Sequence, residues 1–438
     1  MMGASEGALL LSVGLIGWAG LMRALTGTWL HPGAFFSLFW CFAGILPLVF
    51  APEELVGANA ILWLILASVA VSLGAVVGNF GLKTRVSVAR SVPTDREITL
   101  FGWALAGSVL LGMGSSLFFA IGSGIPLSSF LHLQQLVVTA NQIYFSRYAQ
   151  GGPVASPRLS QALLPFVYLA PAIGGVLFVL RREWGWKLFA LLAFVPAIVV
   201  TVMQTTKAAF LFALVLWLSG YFATRLRLGQ LGVFTLRHVA VTAGAGAVMM
   251  VFFFAVTLAR LASTDLSFTD VVLLKLVTAA FGHMTVFSQW LADYWAAPFS
   301  PSLGKVTFAG PLEMLGFGQR IPGLFEEIVE LAAGEKSNIY TGFRPLIQDF
   351  GIPGALAVLS LLGFVGGVGF RLVAGGRWSA VPLLLIAYVT VFWTPVTWFW
   401  IYNSLTATVV ALGLLVWIIR FWRGSGRARA GEAGVGTA

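Results

Sequence analysis

Residues 337–370 read SNIYTGFRPLIQDFGIPGALAVLSLLGFVGGVGF. The two parts of this stretch differ in chemistry. From Ile352 to Phe370 no charged residue occurs. At 1.5 Å of rise per residue such a run spans about 28 Å as a helix, close to the depth of a hydrocarbon core. Ahead of it, Ser337–Gly351 carries Tyr340, Arg344, Gln348 and Asp349. A polar set placed where the chain enters a bilayer is suited to holding a polar group against a lipid. The decision between a soluble core and a membrane bundle therefore rests on whether the apolar run is one of many.

It is. The chain of 438 residues is 59% hydrophobic and 10% charged, against about 25% charged residues in ordinary soluble domains. Continuous apolar runs predict an all-α polytopic membrane protein, whereas a β-barrel would show weak alternating segments of about 10 residues. Eleven spans can be drawn, at 7–23, 34–50, 59–80, 98–122, 160–180, 187–204, 208–224, 238–260, 352–370, 379–397 and 402–420. They predict an N-terminal bundle over 1–260 with an outer loop at 123–161. A large extracytoplasmic loop of short helices over 261–351, C-terminal spans over 352–423 and an unstructured cytoplasmic tail over 424–438 complete the expected organisation.

The net charge of +10 reads as topology rather than as nucleic-acid binding, because the cations sit in short loops without interleaved exposed aromatics. Arg23, Lys83, Arg85, Arg90, Arg96, Arg181, Arg182, Lys187, Arg225, Arg227, Arg237, Arg371, Arg377, Arg420, Arg423, Arg427 and Arg429 all fall on alternate loops. The positive-inside rule then places the C-terminus in the cytoplasm and the N-terminus outside. The first apolar run lacks a basic leader and reads as a span. Cys41 is the single cysteine, so neither an internal disulfide nor a cysteine metal site is expected. No phosphate-cradling loop, nucleophile elbow, zinc spacing or calcium spacing is present, and no metal or cofactor is expected. Glycine clusters inside spans, GGVG at 366–369 among them, read as close helix packing.

Two segments on the expected outer side are long. The first, 123–161, carries His132, Gln134, Gln135, Asn141, Tyr144, Arg147 and Tyr148 around a short helix. The second, 261–351, opens with a helical pattern over 269–295, expected at the interface or on top of the bundle. It continues through a Pro- and Gly-broken stretch, and 324–333 with Glu326, Glu327 and Glu330 reads as a solvated acidic helix. Arg344 precedes Pro345 and is expected to be extended, with Pro345 opening a short helix. Asp349 reads either as a cap for the helix near Pro353, paired with Arg344, or as a functional carboxylate; the two are compatible. His283 reads first as a packing residue and second as a base. Trp393, Trp398, Trp400 and Tyr402 read as an interfacial belt.

The cations on the outer side carry the chemistry. Lys207 lies in a tight turn between two spans and Arg260 ends a very apolar run. Snorkelling accounts for either alone as well as function does, but less readily for both on the side where cations are disfavoured. With Arg320 and Arg344 they make four cations expected to converge at headgroup level. Guanidinium groups bind phosphate oxygens bidentately and an ammonium supplies a point charge, a set matched to a diphosphate-linked lipid.

The stretches QTTKAAFLFALVLWLSGY at 204–221, GKVTFAGPLEML at 304–315 and above all SNIYTGFRPLIQDFGIPG at 337–354 resemble the Wzy-type oligosaccharide repeat-unit polymerases, the O-antigen and polysaccharide polymerase family. Lys207 stands where such polymerases often carry Arg. The resemblance implies a GT-C-like glycosyltransferase of the bacterial inner membrane with its active face outward. Its substrates would be undecaprenyl-diphosphate-linked oligosaccharides, without a cofactor, and a chain-length regulator is an expected partner alongside the lipid bilayer. Under this reading Lys207, Arg260, Arg320 and Arg344 hold the diphosphate, and Tyr340 and Gln348 position sugar. Asp349, or secondly His283, orients or deprotonates the acceptor hydroxyl. The alternatives are an O-antigen ligase and a flippase or transporter of lipid-linked oligosaccharide.

Overall fold

A computed structural model describes residues 4–433 apart from 54, 82–93, 127, 130–131, 149–156, 205, 233–235, 261–268, 298–299, 318–324, 326 and 332–333. The protein is about 81% helical. Its helices are α1 (Ala4–Thr26), α2 (Pro32–Phe50), α3 (Ala58–Asn79), α4 (Asp95–Gly122), α5 (Leu133–Tyr148), α6 (Arg158–Leu180), α7 (Trp184–Leu191) and α8 (Val195–Gln204). They continue with α9 (Ala208–Arg227), α10 (Leu236–Arg260), α11 (Thr269–Ala296), α12 (Ala309–Met314), α13 (Phe343–Ala374), α14 (Val381–Trp393) and α15 (Asn403–Ala433). A two-residue antiparallel pair, β1 (Val329–Glu330) with β2 (Lys336–Ser337), is the only sheet among the described residues.

Among the described residues nine helices are long and apolar enough to cross a membrane: α1, α2, α3, α4, α6, the run Trp184–Gln204, α9, α11 and α13. Eight of them coincide with spans read from the sequence. The sequence spans at 238–260, 379–397 and 402–420 correspond to helices whose qualifying apolar segments are shorter. The ninth, α11, corrects the expectation for 261–351. Its opening part, expected as a helix at the interface or on top of the bundle, is a 28-residue helix long and apolar enough to cross a membrane, with Met284, Val286, Phe287 and Leu291 fully buried against α2, α3 and α13. The lone Lys275 and His283 made that pattern look more polar than its buried face is. A second correction concerns 324–333, where the described residues do not form the expected acidic helix. Phe325 and Glu327 lie in irregular chain and Val329–Glu330 is a strand. A third is the C-terminal tail, where α15 continues as helix to Ala433.

The core has two main parts. Residues of α1, α2, α3, α11 and α13 form one, those of α4, α6, α8, α9 and α15 the other, and α14 contributes Leu384 and Tyr388 to the first and Leu385 and Trp393 to the second. The central seam is between α3 and α13. Gly74 and Gly78 rest on the backbone of Ser360 and Phe364, while Gly363 and Gly367 rest on that of Val71 and Ala75. The correspondence runs in the same chain direction, so the two helices pack parallel. Each contributes a Gly-xxx-Gly pair, and a methyl group at any of the four positions would overlap the opposing backbone. Gly366 and Gly369 meet Pro32, Ala387 and Leu384, so the GGVG cluster is packing, as expected.

Candidate functional site

The polar stretch before the seam helix folds as a separate element. Gly351 has φ 67° and ψ 179° and breaks α13, a conformation that only glycine adopts readily. The turn leading into α13 is also strained. Thr341 is fully buried with φ +64°, where a β-branched residue is a genuine outlier. Its Oγ1 accepts a hydrogen bond from Phe343 N at 3.3 Å, and Gly342 N donates to Thr394 O at 2.5 Å. Phe343 then enters the core between Trp40, Trp63 and Phe287, at ring distances of 4.8, 5.8 and 5.8 Å. The helix therefore begins at Phe343 rather than at Pro345, and Arg344 is helical instead of extended. A buried aromatic anchor has overridden the usual preference of the residue before proline.

Arg344 is buried and held by aromatic rings on several sides. Its guanidinium carbon lies 3.8 Å from the Phe325 ring centre, 4.0 Å from that of Tyr340 and 5.3 Å from that of Trp290. Nη2 donates to Glu327 Oε2 at 2.5 Å. Nε and Nη1 are buried and have no acceptor among the described residues. Tyr340 donates its hydroxyl to Glu327 O at 3.0 Å and Asn338 donates to Phe325 O at 3.0 Å. Burial pushes the Tyr340 phenol above its ordinary pKa, so it is a donor at neutral pH. Two buried hydrogen-bonding groups of one helix face thus lack partners, because Gln348, one turn on, also has its Oε1 buried without one.

Asp349 is handled differently. The expected pairing with Arg344 does not occur. Instead the fully buried carboxylate accepts from Ser302 Oγ, from Val306 N at 3.1 Å and from Thr307 N at 2.5 Å. Thr307 Oγ1 donates to Pro345 O at 3.1 Å. The turn 302–308, with Leu303 and Gly304 both at positive φ, is thereby fastened along residues 343–350. Asp349 accordingly anchors this turn rather than capping the helix near Pro353.

The remaining residues are more scattered than the sequence suggested. Lys207 precedes α9 in the expected turn and its ammonium lies 5.9 Å from the Phe253 ring centre, against α10. Arg260 ends α10, with its side chain outside the described residues, and Arg320 lies outside them entirely. His283 is buried on α11 with its ring 6.4 Å from Trp40. It stands seven residues before Trp290, about 10 Å along the helix, which makes it a neighbour of the aromatic layer rather than of Arg344. The structure brings together Arg344, Tyr340 and Gln348; it does not bring Lys207 or His283 to them.

Sequence reasoning missed Glu327, Phe325 and Trp290. A signal existed for the last: Phe287, Trp290 and Tyr294 recur at helical spacing and stack at 6.2 and 5.5 Å. Among the described residues no three His, Cys, Asp or Glu side chains group as a metal site. No family model, curated protein or solved structure matches the chain.

Proposed function

We propose that this polytopic membrane protein is a glycosyltransferase that lengthens polysaccharide at the outer face of a bacterial inner membrane. The growing glycan moves from undecaprenyl diphosphate to a sugar hydroxyl of a second lipid-linked unit. The anomeric C–O bond to the diphosphate breaks, a new C–O bond to the acceptor oxygen forms, and the hydroxyl proton is released. The observation that carries this reading is Arg344, a buried guanidinium with Nε and Nη1 lacking acceptors among the described residues, at the head of a membrane-length helix. A diphosphate leaves as an anion, so the reaction gains most from fixed cationic donors aimed at the developing charge. In this reading Arg344 meets the diphosphate on its own among the described cations the sequence singled out, since Lys207 packs against Phe253 instead. Tyr340 fixes the guanidinium, Gln348 Oε1 accepts from the acceptor hydroxyl, and Asp349 positions the 302–308 turn.

The test is elongation of undecaprenyl-diphosphate-linked repeat units by the purified protein in lipid. Arg344→Ala is expected to slow it by about 10²–10³-fold, the scale of losing one transition-state donor. Undiminished elongation by that variant at normal protein levels overturns the reading. Transfer only to a lipid A core identifies a ligase, and relocation of unchanged lipid-linked units identifies a carrier.

A further inference from the structure

We propose that Glu327 is a resident stand-in for the substrate's phosphate oxygen, exchanged for it when a diphosphate headgroup binds at Arg344. The proposal rests on the glycosyltransferase reading for the identity of the headgroup, but its geometry is separate. Three observations carry it.

The first is the asymmetry of the ion pair: the Arg344 side chain is 5% exposed and that of Glu327 is 67% exposed. Withdrawing Glu327 costs that carboxylate little, since most of it is already in water, whereas Arg344 left alone would be a buried charge without a counter-ion. The pair is therefore stable against opening yet open to replacement by another anion. The second is incomplete use of the donors. Glu327 receives one hydrogen bond, on Oε2 from Nη2, while Nε and Nη1 have no acceptor among the described residues. A guanidinium fork is matched by two or more oxygens, which a diphosphate supplies and this carboxylate does not.

The third is that the chain around Glu327 is held without its side chain. Tyr340 Oη donates to the Glu327 carbonyl and Asn338 to the Phe325 carbonyl, and the β1–β2 pair closes the hairpin behind them. The carboxylate can swing out by rotation about its own bonds while Phe325 and Tyr340 keep the guanidinium in place. The substitution is thus one anion for another on a fixed cation.

The experiment uses the full-length protein in nanodiscs and follows Trp fluorescence, for which Trp290 lies 5.3 Å from the Arg344 guanidinium. The probes are inorganic pyrophosphate in solution and undecaprenyl diphosphate in the bilayer. Glu327→Gln removes the competing charge and is expected to tighten both by on the order of tenfold, the scale of a charge-assisted hydrogen bond. Arg344→Ala is expected to abolish binding, and Arg344→Lys, which keeps the charge but not the fork, to bind weakly and gain less from Glu327→Gln. Tighter binding of the lipid than of free pyrophosphate identifies the headgroup as the ligand; the reverse identifies a soluble anion, with exchange intact. Unchanged or weaker binding of both probes by Glu327→Gln, or no binding by any folded form, overturns the exchange. Elongation that proceeds with no effect of Glu327→Gln on binding sinks the exchange alone. Tightened binding without any elongation or transfer sinks the glycosyltransferase reading alone.

Discussion

Asp349 and Arg344 lie on the same short helical segment, five residues apart, and both are buried, yet the fold treats them in opposite ways. The carboxylate is filled by donors from its own chain, two of them backbone amides of residues 306 and 307. The guanidinium is wrapped in aromatic rings, paired once with a mostly exposed acid, and left with two nitrogens that have no acceptor among the described residues. A saturated buried charge is an architectural device, since nothing from outside can improve on its partners. One with donors to spare is what the proposed anion site requires. The sequence alone placed both in a candidate site with equal right; their surroundings separate them.

The largest expected effect tests the architectural half. Asp349→Ala strands the buried Thr307 amide, at roughly 1–3 kcal/mol, together with the partly buried Val306 amide and Ser302 hydroxyl. Folded yield and thermal midpoint in detergent are expected to collapse. An Asp349→Ala protein that melts normally but no longer elongates glycan would instead make Asp349 a reacting group and dissolve the distinction. Arg344→Met tests the other half. It removes the buried charge and returns Glu327 to water, so the loss is that of the ring contacts, about 1–2 kcal/mol. Midpoint and elongation rate are then expected to part company, with stability nearly kept and activity lost. A collapse as large as that of Asp349→Ala would show Arg344 to be another structural staple. Thr341→Gly should give the smallest change. Relief of left-handed strain, about 1–2 kcal/mol, offsets loss of the Oγ1 hydrogen bond from Phe343 N, about 1 kcal/mol, so the midpoint should barely move; a large drop would mean the methyl group packs where no glycine can substitute.

Much of this was legible in the sequence, and the divide is physical. Helical class and most span positions follow from local hydropathy, and the GGVG cluster announces close packing because small residues have few other reasons to gather in a span. Arg344, Tyr340 and Gln348 were found together because the residues that join them are neighbours in the chain. Glu327 was read as a solvated helix face because its partner is 17 residues away, across a hairpin whose two-residue strands leave no alternating pattern. The grip of Asp349 on residues 302–307 likewise depends on a fold-back of more than 40 residues. On α11 a few polar residues masked a buried apolar face. Lys207 and Arg344, linked in the sequence reading by charge alone, have different neighbours.

The parallel glycine seam has a consequence for how the molecule is made. Its first half is translated near the start of the chain and its second near the end, so the groove offered by Gly74 and Gly78 must wait in the lipid while almost everything between is synthesised. A nascent protein that stops short of Ala374 lacks the complete mate for that groove. Such fragments are expected to be less stable than the whole chain, a difference that the lifetimes of truncated and full-length protein would measure.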